Sequence, residues 1–284
     1  MPAVSPESQA SEALPSRRRR TPRGGRHRGD ESFLLPPGSP ALVLAVPGSA
    51  HQAGAEVARE LAGLIEIEHT RQPAHVGYLE GDEANLRSVL AGLRRDKDDE
   101  PDAVVVPLST GPDPAVDAAV RAAVADSPAR ALAAEPLGPH PLIAEALHDR
   151  LADAGLARAD RIRLMTMVTA ASGVIVATPG DATAVRQAEV TGVLLASRLA
   201  APVFTASLND EASVKAATEQ LRAAGATNIA LAPHLIGPEP EAALVASAAA
   251  SVGAGHSAPL GAHPALARLS ALRYAEALSM ALSE

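Results

Sequence analysis

Residues able to bind a ligand lie in a loop sequence that occurs twice. Residues 107–114 read PLSTGPDP, and residues 233–240 read PHLIGPEP. Each copy follows a short apolar run and precedes an alanine-rich helical pattern, which predicts a buried strand, a tight loop and the start of a helix. Carboxylates occupy matching positions in the two copies, Asp113 and Glu239, and the second copy adds His234. Because open parallel sheets bind ligands where their strands end, we expect the protein's chemistry at these loops.

Composition restricts that chemistry. The 284 residues include no cysteine, so any metal must be bound by histidine, aspartate or glutamate. A net charge of −8, with two Phe, two Tyr and no Trp, disfavours nucleic-acid binding by charge or by stacking. No apolar run reaches the roughly 20 residues that span a bilayer. We therefore expect neither a nucleic-acid nor a membrane partner, and a cytoplasmic location, while the oligomeric state stays open.

The repetition extends beyond this loop. Three more pairs of landmarks occur in the same order in both halves of the sequence: Gly48 and Gly180 after a strand, Asp82 and Asp210 before a helix, and Gly138 and Gly261 before the last helix. The offset falls slowly, from 132 residues between Gly48 and Gly180 to 123 residues between Gly138 and Gly261. The pattern predicts two tandem α/β halves, each a flavodoxin-like domain with a four-stranded parallel sheet and flanking helices, related by a pseudo-two-fold axis.

The repeat also predicts how the chain is divided. We expect a disordered, arginine-rich tail over residues 1–40, an N-terminal domain over 41–155, a linker over 156–168 and a C-terminal domain over 169–284. The arginine run in the tail is followed by polar residues rather than by an apolar segment, which disfavours an export signal. A solvated tail is the favoured interpretation, with weak contact to an anion or a nucleic acid as the alternative.

Local signals predict the roles of several loop residues. Asp82 is predicted to be the N-cap of a helix over residues 83–95, because an aspartate there can accept backbone N–H groups. Residues 96–102, DKDDEPD, are rich in charge and predict a surface turn. His140 and His263 stand in matching motifs before the last helix of each half, which favours a structural cap over a role in a site.

Four short motifs follow successive strands of the first half: Val46-Pro47-Gly48-Ser49, Tyr78-Leu79-Glu80, Pro107-Leu108 leading to Gly111-Pro112-Asp113, and Leu137-Gly138-Pro139-His140-Pro141. Their order and spacing resemble those of the class II tetrapyrrole chelatases, the family of sirohydrochlorin cobalt- and ferrochelatases. The matching motifs of that family are Ala-His-Gly-Ser, Phe-Leu-Glu, Pro-Leu leading to Gly-x-His-x-x-x-Asp, and Leu-Gly-x-His-Pro. The resemblance covers about residues 41–282, including the internal duplication.

The resemblance implies insertion of a divalent metal, Co²⁺ or Fe²⁺, into a sirohydrochlorin-like tetrapyrrole of sirohaem or cobalamin biosynthesis. This reaction needs a ligand that holds the ion and a base that takes the pyrrole protons, and neutral imidazole can do both. Glu80 keeps the carboxylate of the family, whereas Pro47 and Asp113 occupy its two histidine positions. The alternative is a chelatase-fold homologue that binds a tetrapyrrole or a metal ion without turnover.

The residues expected to act follow from the same resemblance. The loops that carry them leave successive parallel strands, so we expect Glu80, Asp113 and His51 to converge as catalytic residues and as ligands of a weakly bound ion. His51 could instead be a solvated residue at a helix end. The residues expected to contact the tetrapyrrole are Gly48, Ser49, Gly111 and His234. Glu239 could supply a second carboxylate or be a solvated acid at a helix N-terminus.

Overall fold

The computed structural model describes residues 35, 38–51, 54–95, 100–158, 170–237, 241–281 and 283. The predicted tail lies almost wholly outside these residues, as do most of the predicted linker and Glu239. No helix of the described residues is long and apolar enough to cross a membrane.

Strands and helices alternate through both halves of the chain. The elements of the first half are β1 (Ala41–Val46), α1 (Gly54–Ile65) with a π-helical extension (Glu66–Thr70), β2 (Ala74–Tyr78), α2 (Leu86–Gly92), β3 (Ala103–Pro107), α3 (Pro114–Ala125), β4 (Ala131–Ala133) and α4 (Pro141–Asp153). Those of the second half are β5 (Gly173–Thr178), α5 (Ala182–Leu199), β6 (Val203–Ser207), α6 (Glu211–Ala223), β7 (Ile229–Pro233), α7 (Glu241–Val252), β8 (Gly255–His256) and α8 (Pro264–Ala281).

Each half forms one four-stranded parallel sheet. The strand orders are β2-β1-β3-β4 and β6-β5-β7-β8. In the first sheet Leu44 pairs with Val76 on one side and with Val106 on the other. In the second sheet the equivalent central strand is β5, which pairs with β6 and β7. The predicted fold class and the internal duplication are therefore confirmed.

Alternate side chains of the central strands enter different cores. In β1, Val43 and Ala45 pack with α2 and α3 on the outer face of the sheet, whereas Leu42 and Leu44 face the other way. The second half repeats the pattern with an outer core against α6 and α7. In parallel sheets the crossover helices lie on both faces, so both faces of the sheet are buried. The inward faces of the two sheets are covered by one core that both halves share.

The last helix of each half packs on the sheet of the other half. Helix α4 contacts β7 and α5, while α8 contacts β3, β4 and α1. The two helices also contact each other. Such reciprocal contacts are what a two-fold relation between equivalent elements produces. The sequence boundaries that place α4 in one domain and α8 in the other therefore pass through a shared core.

Two arginines, one on each of these last helices, form hydrogen bonds to loops of the other half. Arg150 on α4 donates from Nε and Nη2 to the carbonyl oxygen of Leu260, at 2.9 and 2.8 Å. Arg273 on α8 donates from Nε to the carbonyl oxygen of Pro136 at 2.9 Å. Its Nη2 lies 3.4 Å from the carbonyl oxygen of Leu137. Each half thus supplies an arginine that satisfies loop carbonyls of the other half, and such charge-assisted hydrogen bonds are the stronger kind.

The paired histidines are helix caps, as the sequence predicted. The Nδ1 atom of His140 accepts from the N–H of Leu142 at 3.1 Å, and Nδ1 of His263 accepts from the N–H of Ala265 at 3.1 Å. Burial lowers the pKa of both imidazoles, and a neighbouring arginine lowers it further in each case. A lowered pKa keeps Nδ1 free to accept a hydrogen bond at neutral pH.

The prediction that Asp82 caps a helix is wrong. Helix α2 begins at Leu86, and its N-cap is Asn85, whose side chain accepts from the N–H of Arg87. The chain first makes a turn after β2, in which Ala84 adopts a left-handed φ of 48°. Asp82 lies inside that turn. In the second half, the aspartate at the matching position, Asp210, does cap α6, which begins at the next residue.

The predicted surface turn ends in a buried carboxylate rather than in an exposed one. Asp102 is 1% exposed and accepts from the backbone N–H groups of Arg95 and Arg130, at 3.1 and 2.8 Å. Burial alone would raise the pKa of this carboxyl, but the hydrogen bonds from Arg130 and Arg95 outweigh it, so the pKa lies below its ordinary value. Asp102 therefore joins the starts of β3 and β4 to the end of α2.

The helix exchange predicts that neither half folds alone. We expect a protein of residues 35–158 to aggregate or to bind a hydrophobic dye, because α8 is missing from its inward face and α4 has no sheet to cover. Adding residues 170–284 should restore a compact complex. The measurements are size-exclusion chromatography, dye fluorescence and thermal melting beside the intact chain. Cooperative melting of the isolated half as a monomer would contradict this account.

Candidate functional site

A cleft of about 280 Å³ lies where the loops after β1, β3, β5 and β7 meet. Open α/β sheets bind their ligands at this edge, outside the carboxyl ends of the strands. Both halves line the cleft, which includes segments 108–113 and 234–237 of the repeated loop sequence. Its walls also include Pro47, Pro179 and the first turns of α1 and α5.

Equivalent positions of the two halves face each other in this cleft, but their polarity differs. At the end of the third strand of each half, Leu108 stands in one half and His234 in the other. The next position pairs Ser109 with Leu235. Thr110 likewise corresponds to Ile236. The fold is duplicated, yet at these three positions the first half contributes two hydroxyls and the second half contributes an imidazole.

His234 is the buried titratable group of the cleft. Its side chain is 4% exposed, and neither ring nitrogen has a hydrogen-bond partner among the described residues. Burial lowers its pKa to about 4, so the imidazole is neutral at physiological pH. Its backbone is fixed on both sides: the N–H donates to Ala177 at 2.8 Å, and the carbonyl oxygen accepts from the hydroxyl of Thr110 at 3.2 Å.

Asp113 lies at the exposed rim of the same cleft and caps α3. Its Oδ1 accepts from the N–H groups of Ala115 and Val116, at 2.9 and 3.2 Å. These bonds fix the carboxylate at the helix N-terminus, where the helix dipole stabilises a negative charge. Gly111 also lines the cleft, and a Cβ atom added there would meet nothing within 4 Å.

The other predicted site residues lie in a second place, beside the turn after β2. His51 and Glu83 form an exposed pair with 3.5 Å between Nε2 and Oε2. Glu80 is exposed, and its backbone N–H donates to the carbonyl oxygen of Gly48 at 2.9 Å. Ser49 is half-buried near Gly81. These residues are not among those that line the cleft.

The predicted site residues thus fall into two groups. Gly111, Asp113 and His234 come together in the cleft, whereas Glu80 and His51 do not join them. Among the residues that the structure describes, no group of three or more His, Asp or Glu side chains is arranged to hold a metal ion. Parallel strands bring their loops to one edge of the sheet, but β2, which Glu80 follows, is the outermost strand, and no residue of its loop lines the cleft.

Sequence reasoning missed several polar residues of the cleft. Ser109, Thr110, Thr178 and Gln187 all line it, and the hydroxyl of Ser109 is buried without a hydrogen-bond partner among the described residues. A signal for two of them was present in the repeat, because Ser109 and Thr110 are polar where the matching positions of the second half are apolar.

The loop that holds this wall depends on Gly138. A Cβ atom at this position would overlap the carbonyl oxygen of Thr110 and approach Cδ1 of Ile143 to 2.6 Å. The matching Gly261 is required for another reason, a left-handed φ of 62°. Glycine is therefore required at the two matching positions for different reasons, close packing at Gly138 and a left-handed backbone at Gly261.

Known proteins resemble this chain in sequence over its first half and in fold over most of its length. The CbiX family model matches residues 41–154. The solved structure of SirB from Bacillus subtilis with Fe3+ superposes with a TM-score of 0.58 at 17% identity, covering 86% of this chain and 98% of SirB. That of CbiX, the terminal enzyme for biosynthesis of siroheme in denitrifying bacteria, has a TM-score of 0.56 at 16% identity, covering 84% of this chain and 99% of CbiX. No curated protein matches the sequence significantly. At these identities the structural likeness shows the fold.

Substitution Gly138→Ala should distort the Thr110 wall of the cleft. Because the added methyl group meets backbone, we expect a loss of about 1–3 kcal/mol in the free energy of unfolding. Gly92→Ala is the control: the added Cβ meets nothing within 4 Å at the end of α2, and we expect no loss. Thermal melting of the three proteins measures both effects. Equal melting temperatures for wild type and Gly138→Ala would refute the close packing of this loop.

The buried imidazole predicts a pH dependence of stability. The pKa of His234 falls from 6.5 in the unfolded chain to about 4 in the folded one, so the unfolded state binds more protons between these values. The contribution of the neutral His234 imidazole to the free energy of unfolding is therefore complete above pH 6.5. It decreases as the pH falls toward 4, by on the order of 3 kcal/mol.

The His234→Leu protein should lose this part of the pH dependence while remaining at least as stable as wild type near pH 7.5, since Leu108 fills the matching position. Urea unfolding between pH 4 and 8 measures it. His256→Leu, at an exposed position, is the control and should keep the wild-type profile. If His234→Leu kept the wild-type dependence of stability on pH, His234 would not be its cause.

Proposed function

Since the chain belongs, through residues 41–154, to the CbiX family of class II tetrapyrrole chelatases, we propose that it has a sirohydrochlorin chelatase-like role in tetrapyrrole biosynthesis, with the cleft between its halves as the macrocycle site. The observation that carries this proposal is the position of the cleft. It lies at the strand ends where this fold binds ligands, and it contains a buried imidazole without a partner among the described residues.

The lining of the cleft supports a ring-shaped, mostly apolar ligand. Small-molecule sites are typically apolar with a few placed polar groups. Here prolines and aliphatic side chains alternate with the hydroxyls of Ser109 and Thr110 and the imidazole of His234. The described lining includes no lysine or arginine. It therefore suits the ring of a tetrapyrrole, whose acidic side chains would remain in solvent.

Binding is the function that this geometry supports best. A macrocycle presents pyrrole N–H donors and ring nitrogen acceptors, and a neutral imidazole offers one donor and one acceptor in return. The lack of a three-residue metal group among the described residues favours binding over the handling of a free ion. In this role the protein would hold a sirohydrochlorin-like tetrapyrrole without turnover.

Insertion of Co²⁺ or Fe²⁺ into the bound ring is the second candidate, and the family assignment favours it. For this reaction Asp113 and His234, from opposite walls, are the cleft's available carboxylate and base among the described residues. Neutral imidazole can accept a pyrrole proton, while a carboxylate can bind the incoming ion as a substrate. The roles predicted for Glu80 and His51, and the cytoplasmic location, stay predictions.

An absorbance titration with sirohydrochlorin tests the proposal. We expect the purified protein to shift the absorption spectrum of the pigment and to bind it saturably. Gly111→Leu should weaken this binding at least about tenfold, a loss of about 1.4 kcal/mol. Gly111 lines the cleft, and an added Cβ atom there meets nothing within 4 Å, so the larger side chain would take space from the ligand without disturbing the fold. Gly92→Leu, on the exposed end of α2, is the matched control and should bind as wild type does.

Adding Co²⁺ or Fe²⁺ to the same mixture separates the two candidates. Metallation faster than the spontaneous rate in buffer would establish the enzyme, and metallation at the spontaneous rate would establish the binding protein. If sirohydrochlorin caused no spectral shift in wild type, or if Gly111→Leu bound it equally well, the cleft would not be the macrocycle site.

A further inference from the structure

The cleft has a negative charge at its rim and no positive charge in its described lining. Among the described residues that line it, Asp113 is the only aspartate or glutamate, and there is no lysine or arginine. His234 adds no positive charge, because burial lowers its pKa to about 4 and keeps the imidazole neutral. In the sequence, each copy of the repeated loop has an acid, Asp113 or Glu239, and neither copy has a lysine or an arginine. An anionic ligand would therefore find no opposite charge in the described lining.

Two arginines stand next in the sequence to residues of the lining, but they belong to other faces of their helices. Arg59 follows Ala58 on α1, and Arg186 precedes Gln187 on α5. Neighbouring residues of a helix do not share a face, and neither arginine lines the cleft. Arg186 instead donates to the hydroxyl of Thr183 at 3.1 Å. These arginines therefore do not supply the missing positive charge.

Helix N-termini are the other groups that bind anions at such an edge, through backbone N–H groups and the helix dipole. At two of the helices that begin here, a carboxylate of the protein already occupies that place. Asp113 accepts from the first N–H groups of α3. Asp181 accepts from the N–H groups of Thr183 and Ala184 at the start of α5, at 2.8 and 3.2 Å. A carboxylate of a ligand would have to displace these side chains.

These features conflict with the charge of a sirohydrochlorin-type ring, which has carboxylates around its whole edge. Carboxylates on the side of the ring that enters the cleft lose part of their hydration, and a desolvated charge is costly unless it is paired. Carboxylates near the rim are repelled by Asp113. The net charge of −8 adds to this repulsion at longer range. The apolar lining suits the ring itself, whereas each carboxylate on the ring edge lowers the affinity.

We propose that the cleft selects tetrapyrroles with few carboxylates, and that Asp113 is the residue that disfavours highly carboxylated rings. This inference rests on the proposed function that the cleft binds a tetrapyrrole. The ligand class is a ring on which uncharged groups replace part of the carboxylates of a sirohydrochlorin-type edge. A reaction that converts edge carboxylates into uncharged groups must therefore supply this ligand.

The local structure suits Asp113 to this role. Its Oδ1 accepts from the N–H groups of Ala115 and Val116, at 2.9 and 3.2 Å, and these bonds hold the carboxylate at the rim. A fixed charge cannot swing away from an approaching anion as a free surface side chain does. Asparagine caps helices as well as aspartate does, so the charge can be removed while the cap is kept.

Two porphyrins with the same ring test the proposal. Uroporphyrin has an acetate and a propionate on every pyrrole, and coproporphyrin has a methyl group in place of each acetate. Both are titrated by absorbance into wild type, Asp113→Asn and Asp210→Asn. We expect wild type to bind coproporphyrin at least about tenfold more tightly than uroporphyrin. Raising the ionic strength from about 0.01 M to about 0.1 M should tighten the binding of uroporphyrin, because salt screens the repulsion.

The variants separate charge from hydrophobicity, which also favours coproporphyrin. Asp113→Asn should tighten the binding of uroporphyrin at least about threefold and that of coproporphyrin less than about twofold. Asp210→Asn is the matched control, because Asp210 caps α6 through a hydrogen bond from Ala212 but does not line the cleft. It should bind both porphyrins as wild type does.

Several results would overturn the inference and leave the proposed function intact, because a tetrapyrrole would still bind. They are equal or tighter binding of uroporphyrin by wild type, weaker binding of uroporphyrin at higher ionic strength, and equal affinities of Asp113→Asn and Asp210→Asn for uroporphyrin. Binding of sirohydrochlorin without binding of coproporphyrin would also overturn it. If wild type bound none of the three rings, the proposed function and the inference would be removed together.

Discussion

The burial of the inward faces of two parallel sheets is the constraint on which the rest of this structure depends. Each half covers its outer face with two helices of its own but has only one helix, α1 or α5, for its inner face. The missing cover comes from the other half, through α8 on the first sheet and α4 on the second. Arg150 and Arg273 then satisfy loop carbonyls across the exchange, so burial and hydrogen bonding specify the same arrangement. The duplicated halves therefore form one compact unit around a shared core.

This arrangement creates the cleft and decides its symmetry. Because the last helix of each half packs on the sheet of the other, the equivalent loops of the two halves meet. The ends of β1 and β3 therefore line the cleft together with those of β5 and β7. A duplicated fold would give a cleft with identical walls. Here the walls differ, with Ser109 and Thr110 on one side and His234 on the other.

The cleft has no histidine at either of the two positions that match the family's histidines. At one histidine position of the family stands Pro47, which has neither a lone pair nor a proton to offer, and at the other stands Asp113, which serves as the N-cap of α3. The imidazole of the cleft comes instead from the end of β7, in the other half of the chain. There, burial lowers its pKa and keeps it neutral at physiological pH.

The sequence by itself determined the duplication, the strand and loop order, the family resemblance and the capping roles of His140 and His263, because repeats, apolar runs and cap residues are local signals along the chain. It also singled out Gly111, Asp113 and His234. The sequence predicted wrongly where a short stretch has two acceptable local structures. Asp82 is a good cap residue, but the turn that includes Ala84 comes first, so α2 begins later in the chain. Asp102 belongs to a charged run, yet it is buried and accepts hydrogen bonds from Arg95 and Arg130. Only the tertiary structure decided that α4 and α8 each pack on the sheet of the other half. It also decided that Glu80 and His51 lie apart from the cleft, and that His234 is buried without a partner among the described residues. These are long-range packing outcomes, fixed by which apolar faces meet, and no pattern within one half of the chain specifies its contacts with the other.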